Sequence, residues 1–155
     1  MEDYITEMRK LIGHTPLLSI GCDVIIENNG QILLQKRTDD GEWCVPGGGM
    51  NFGETFLETA TREVMEETGL KLESLSLFGI YSGKNCVVEY PNKDVVFGGI
   101  VVFIAKKYSG ELRKNSNESY ELKFFSRENL PQNIRKTNKI WINQWKKGQD
   151  SIFIG

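Results

Sequence analysis

Histidine is nearly missing from this chain of 155 residues, and cysteine and proline are sparse. The one histidine, His14, sits in a Gly-His-Thr-Pro turn and cannot build a histidine-rich metal site, so any metal must be held by oxygen. The three cysteines, Cys22, Cys44 and Cys86, are odd in number and lack CxxC spacing, which reads as free thiols in a reducing compartment. No long hydrophobic run is present; the longest near-apolar stretch, residues 98–105, is far too short to span a bilayer. The first ten residues are polar and mixed in charge, so neither a signal peptide nor a membrane location is expected, and the expected location is cytoplasmic. Charge of one sign is also lacking. Nineteen basic against twenty-one acidic residues and a pI near 5.5 argue against a protein that mainly grips nucleic-acid backbones.

What is present is the composition of one ordinary globular domain, with 39% apolar and 26% charged residues. No repeat, low-complexity tract or linker divides it, so residues 1–155 are expected to form a single domain. Apolar residues at helical spacing predict a short leading helix over about 3–12, stopped by Gly13 and Pro16. Strands are expected at 17–27 and 31–37, joined through Asn-Asn-Gly, because an Asn-Gly step tolerates the positive φ of a tight hairpin. Further strands are expected at 72–81, 86–89, 95–107 and 120–125. A last helix over about 135–147 should turn Trp141 and Trp145 into the core. Residues 38–42 read as a polar loop leading to Pro46 and three glycines. Strands interleaved with a central and a terminal helix indicate an α/β sandwich with a mixed sheet.

The informative stretch is 47–70, GGGMNFGETFLETATREVMEETGL. A helix over about 55–68 is bracketed by a Thr55/Glu58 capping box and by Gly69. On a helical wheel Leu57, Ala60, Val64 and Thr68 gather on the face expected to pack on the sheet. Glu63, Glu66 and Glu67 gather elsewhere, at i, i+3 and i+4. Each like-charged pair at that spacing costs a few tenths of a kcal/mol. Such a trio suits a hard cation, Mg²⁺ or Mn²⁺, better than it suits helix stability.

This stretch resembles the signature of the Nudix hydrolases. Gly48, Glu54, Arg62, Glu63, Val64, Glu66, Glu67, Gly69 and Leu70 fill every fixed or apolar position without a gap. A chance match is on the order of one in a billion per window. The resemblance implies a Nudix α/β/α sandwich with the signature forming a loop, helix and loop on the sheet. It implies metal-dependent hydrolysis of a diphosphate linkage in a nucleoside diphosphate joined to another group. It also implies Glu66 and Glu67 as metal ligands, Glu63 assisting, the Gly47 carbonyl as a further ligand, and Arg62 holding the helix to the loop through Glu54. A further glutamate to orient water is expected from a late acidic loop: Glu118, with Glu121 as the alternative. The expected partner is a small-molecule nucleoside diphosphate derivative, without stable nucleic-acid binding; a homodimer is left open.

Marks of particular subfamilies are absent. The position where ADP-ribose hydrolases place a proline falls near Cys86, and that of the dinucleoside polyphosphate tyrosine falls near Val87 or Val88. Arg37, at a strand end, is a candidate phosphate contact, and Tyr81 and Phe97 are candidates to stack on a base. The alternatives to a small-molecule hydrolase are a Nudix-fold nucleotide sensor that does not cut, and an RNA 5′-end pyrophosphohydrolase.

Overall fold

The computed structural model describes residues 4–113, 117, 119–149 and 151–155. The chain opens with helix α1 (Tyr4–Ile12) and the hairpin β1 (Leu17–Asn28) and β2 (Gln31–Arg37). Asn29 and Gly30 take φ of 49° and 76° at the turn, the pair of positive values a tight hairpin needs. Two short strands follow, β3 (Trp43–Cys44) and β4 (Gly47–Gly49), then helix α2 (Phe56–Thr68) and strand β5 (Lys71–Tyr81). Strands β6 (Val87–Glu89), β7 (Val95–Ser109) and β8 (Ser119–Ser126), helix α3 (Asn138–Lys146) and strand β9 (Phe153–Ile154) complete the order.

The sheet is mixed, in the order β3-β2-β1-β7-β5-β9, with β8 on β2, β4 on β1 and β6 on β7. Its spine is the parallel pair β1–β7, in register from Leu17 opposite Val96 to Ile26 opposite Ala105. Both central strands are nearly continuous apolar runs because both faces are covered along much of their length. Cys22, Val24, Ile26, Val101, Phe103 and Ala105 point to one face and pack with Ala60 and Val64 of α2. Ile25, Val102, Ile32 and Leu34 contribute to the other, where Trp141, Ile142 and Trp145 of α3 close the core. Burying one such side chain contributes about 1.5–3 kcal/mol, so the two helices are held mainly by these stripes. The layers are helix, sheet, helix, as the sequence pattern predicts.

Differences from the predicted elements have local causes. The segment 38–49 contains β3 and β4 because Trp43 N–H donates to the Asn133 carbonyl and the glycine loop pairs with β1. Helix α3 starts three residues later than expected: Ile134 bridges Trp43 and Arg135 N–H donates to the Trp43 carbonyl, keeping the chain extended there. Strand β9, absent from the sequence reading, adds in parallel to the edge of β5. Leu57, expected on the packed face of α2, remains half exposed, whereas Ala60, Val64 and Thr68 are fully buried.

Helix α2 carries the complete capping box, Thr55 with Glu58, and ends at Gly69 with φ 74°. A Cβ at Gly69 would lie 2.8 Å from Arg113 Cγ and 3.1 Å from the Glu111 carbonyl oxygen. Gly69→Ala is therefore expected to cost about 1–2 kcal/mol from the left-handed backbone alone. Calorimetry should show Tm lowered by roughly 2–8 °C; an unchanged Tm would mean the helix end re-forms without strain.

Candidate active site

Backbone proximity positions the site. Strand β4 pairs antiparallel with β1, setting Gly47 opposite Asp23, Gly48 opposite Cys22 and Gly49 opposite Gly21. No side chain fits at the crossing: a Cβ on Gly21 would stand 2.8 Å from the Gly48 carbonyl oxygen. One on Gly48 would stand 2.5 Å from the Glu63 carboxylate. Gly47, whose Cβ would stand 2.3 Å from the Cys22 carbonyl oxygen, and Gly21 are thus the positions that let the loop lie against β1.

Arg62 joins the two. Its Nε and Nη2 donate to the two oxygens of Glu54 at 2.5 and 2.9 Å, and Nη2 also donates to the Gly49 carbonyl at 3.0 Å. Its Nη1 reaches Glu63 at 2.7 Å and Glu66 at 3.3 Å. Such charge-assisted, forked bonds are the strong class of side-chain hydrogen bond. Glu54 further accepts from Asn51 N–H and the Thr59 hydroxyl. The Arg62 guanidinium, with these donors, pulls the Glu54 carboxyl down to about 2.

The three glutamates occupy different settings. Glu67 is 3% exposed and accepts from the Gly47 N–H at 2.9 Å, so it ties the helix end to the first loop glycine. Glu63 lies against Gly48, and the Glu66 side chain is mostly exposed. All the donors are hard oxygens on one stretch of rigid helix beside a backbone loop, which suits a hard divalent cation. Among the described residues no three acidic groups already converge on one point. Arg62 Nη1 sits between Glu63 and Glu66 and bonds one oxygen of each carboxylate.

Beside the loop, on the α3 side of the sheet, lies a cleft of about 160 Å³ lined by Gly47, Arg37, Arg135, Tyr90 and Asn138. Arg37 holds Asp39 through two bonds of 2.8 Å. The Arg135 guanidinium lies 5.3 Å from the centre of the Tyr90 ring. Asp23, which the sequence reading missed, projects into this cleft; Asn138 Nδ2 donates to it at 3.3 Å. Burial pushes its carboxyl up to about 7, against the opposing pull of Arg135 and Asn138. The available signal was a lone acid within the apolar run of β1. A larger cleft of about 540 Å³, bordered by Glu27, Phe78 and Trp145, contains no signature residue.

The remaining expected residues lie elsewhere. Tyr81 is a correction: it is 2% exposed, its ring is stacked on Phe153 and tilted against Trp141, and its hydroxyl bonds Gln144. It is a core residue with no face left for a base. Phe97 is exposed but lies on the sheet face opposite the cleft, beside Leu18. Glu118 lies outside the described residues. Glu121 is exposed on β8, opposite Lys36 of β2.

Comparison with known proteins agrees with this geometry. A family model described as NUDIX domain matches residues 17–145. An ADP-ribose pyrophosphatase from Methanocaldococcus jannaschii is 36% identical over 135 residues, 84% of this chain and 76% of that protein. An RNA pyrophosphohydrolase from Ruthia magnifica is 29% identical over 135 residues, 83% of this chain and 69% of that protein. The solved structure of a MutT protein from Bacillus halodurans superposes with a TM-score of 0.71 at 29% identity, covering 87% of this chain and 86% of that one. The chain belongs to the Nudix hydrolase family. As an enzyme it is a Nudix pyrophosphohydrolase.

The Glu54–Arg62 bond has a defined pH signature. A carboxyl lowered from the ordinary 4.5 to about 2 stabilises the fold above pH 4.5, and that contribution is lost as pH falls toward 2. Glu54→Gln should melt below wild type at pH 6–8, with the difference shrinking below pH 4.5 and nearly gone at pH 2. A difference independent of pH would remove the ion pair as its cause.

Proposed function

We propose that this chain hydrolyses a diphosphate linkage in a small nucleoside diphosphate derivative by attack of water on phosphorus. The observation that supports this most is the acidic helix docked through Arg62 and Glu67 onto a glycine loop beside an arginine-lined cleft. Glu63, Glu66 and Glu67, with the Gly47 carbonyl, would hold Mg²⁺ or Mn²⁺. Bound there, the metal supplies charge neutralisation on the diphosphate. Arg37 offers a second positive charge at the other side of the loop, and Arg62 keeps loop and helix in register while substrate binds. Glu118 orients the attacking water, with Glu121 as the alternative. No covalent nucleophile is required.

Three free, buried cysteines suit a reducing, cytoplasmic setting, and no helix among the described residues is long and apolar enough to cross a membrane. The two curated relatives carry the names of different substrates, so the leaving group is best found by a screen. Nucleoside triphosphates, nucleotide sugars, ADP-ribose, dinucleotides and 5′-triphosphorylated RNA should be offered with each metal. Turnover should cease in chelator and return with Mg²⁺ or Mn²⁺; turnover in excess chelator would remove this mechanism, and no turnover of any compound would favour a sensor.

Two variants test the assigned roles. In Glu67→Gln the amide oxygen can still accept from Gly47 N–H, so the fold is retained while one charge is lost. Wild type should gain about 2.7 kcal/mol at a hundredfold excess of Mn²⁺ over Kd, seen as a rise of several degrees in Tm. Glu67→Gln should lose most of that gain; an equal gain would show that Glu67 is not a ligand. Glu118→Gln should lower kcat by roughly 10²-fold with little change in KM. A near-normal kcat there, with a large loss in Glu121→Gln, would move the role to Glu121.

A further inference from the structure

Helix α2 covers only part of its face of the sheet. Alternation along β1 and β7 puts Leu18, Ile20 and Phe97 on that face, in line with the buried Cys22 and Val101. Ile80 of β5 lies opposite Val101, and Ile154 of β9 lies beside Ile80, so both carry the face toward the sheet edge. Leu57 borders it from the first turn of α2. These six residues are between 38% and 77% exposed, and none is charged. Among the described residues none of the six belongs to, or packs against, either cluster of the core. Gly99, beside Ile20 in the register, leaves a hollow in the surface, since a Cβ there would meet nothing within 4 Å.

With a fully exposed large apolar residue counted at about 200 Å², the six present roughly 600 Å². That equals the largest apolar patch of an ordinary monomer, before the half-exposed Phe56 at its rim is added. Across a two-fold pair the area doubles to about 1,200 Å², the size at which specific and stable protein interfaces begin.

We propose that this bare half of the sheet is the interface of a symmetric homodimer. The occupant must be as apolar and as flat as the face itself, because no charge selects a polar or anionic partner. A second copy supplies such a face at equal concentration, and a two-fold axis sets it against itself. Sheet-on-sheet packing with the strands about 30° apart is the ordinary way to bury two such surfaces. The face adjoins the glycine loop along β1, since Met50 N–H donates to the Ile20 carbonyl. Dimerisation would therefore brace β1 where the loop is anchored, leaving the arginine-lined cleft on the opposite face open.

Sedimentation velocity over about 1–100 µM tests this with the full chain. Wild type should sediment as a species of twice the 17.7 kDa chain mass, dissociating on dilution. Leu18→Glu places a charge at one of the most exposed positions and should sediment as a monomer with a native circular dichroism spectrum. Phe97→Ser, which adds no charge, should weaken the dimer at least tenfold and serves if the first variant misfolds. A wild type that is monomeric at 100 µM would overturn the proposal, whether or not it binds vesicles or another protein. A dimer that persists unweakened in folded Leu18→Glu or Phe97→Ser would place the interface elsewhere and overturn it equally.

Discussion

The bonds of Arg62 to Glu54, Glu63, Glu66 and the Gly49 carbonyl are the joint on which the site depends. A run of three glycines has no side chains with which to fix itself and loses much conformational freedom on folding. The loop therefore borrows order from two neighbours. One is β1, which gives it a strand partner; the other is α2, which reaches it through Arg62 and through the Glu67 bond to Gly47 N–H. The same guanidinium offsets the repulsion that three glutamates within two turns would otherwise impose. Its charge is shared between a structural acid and two acids that face the site.

This joint is placed by the sheet. The parallel β1–β7 pair fixes where Gly21, Cys22 and Asp23 present their backbone, and α2 is docked on the same strand through Ala60 and Val64. Loop and helix thus meet because both are referred to one strand. On the reverse face α3 and its tryptophans close the core, while Asn138 at the start of that helix joins Val45 to Asp23. One β-strand carries the glycine-loop anchor, the cleft acid and, further toward its start, the bare apolar face.

The signature helix was legible because several independent marks agree on it: capping box, apolar stripe, terminal Gly69 and acid spacing. The β1–β2 hairpin was equally plain from Asn29-Gly30. Strands β3, β4 and β9 were not, because two or three residues carry no alternation, and their pairing is set by partners distant in sequence. Asp23 escaped because a single acid in an apolar strand looks like an interruption until the strand's neighbours are known. Tyr81 was misread for the converse reason: its position in a strand does not say which face α3 will cover. Leu57 fits the helical stripe, yet it lies in the first turn of α2 at the border of the bare part of the sheet and stays half exposed, which no local pattern reveals.

The most direct test of the central claim, that the acids of α2 hold a divalent cation in this fold, needs no substrate. Electron paramagnetic resonance of Mn²⁺ titrated into the protein distinguishes the free ion, whose six-line signal is sharp, from the bound ion. Wild type should suppress the free signal saturably, and a folded Glu66→Gln/Glu67→Gln double variant should leave it close to that of buffer. Equal suppression by both proteins, or none by wild type, would contradict the account.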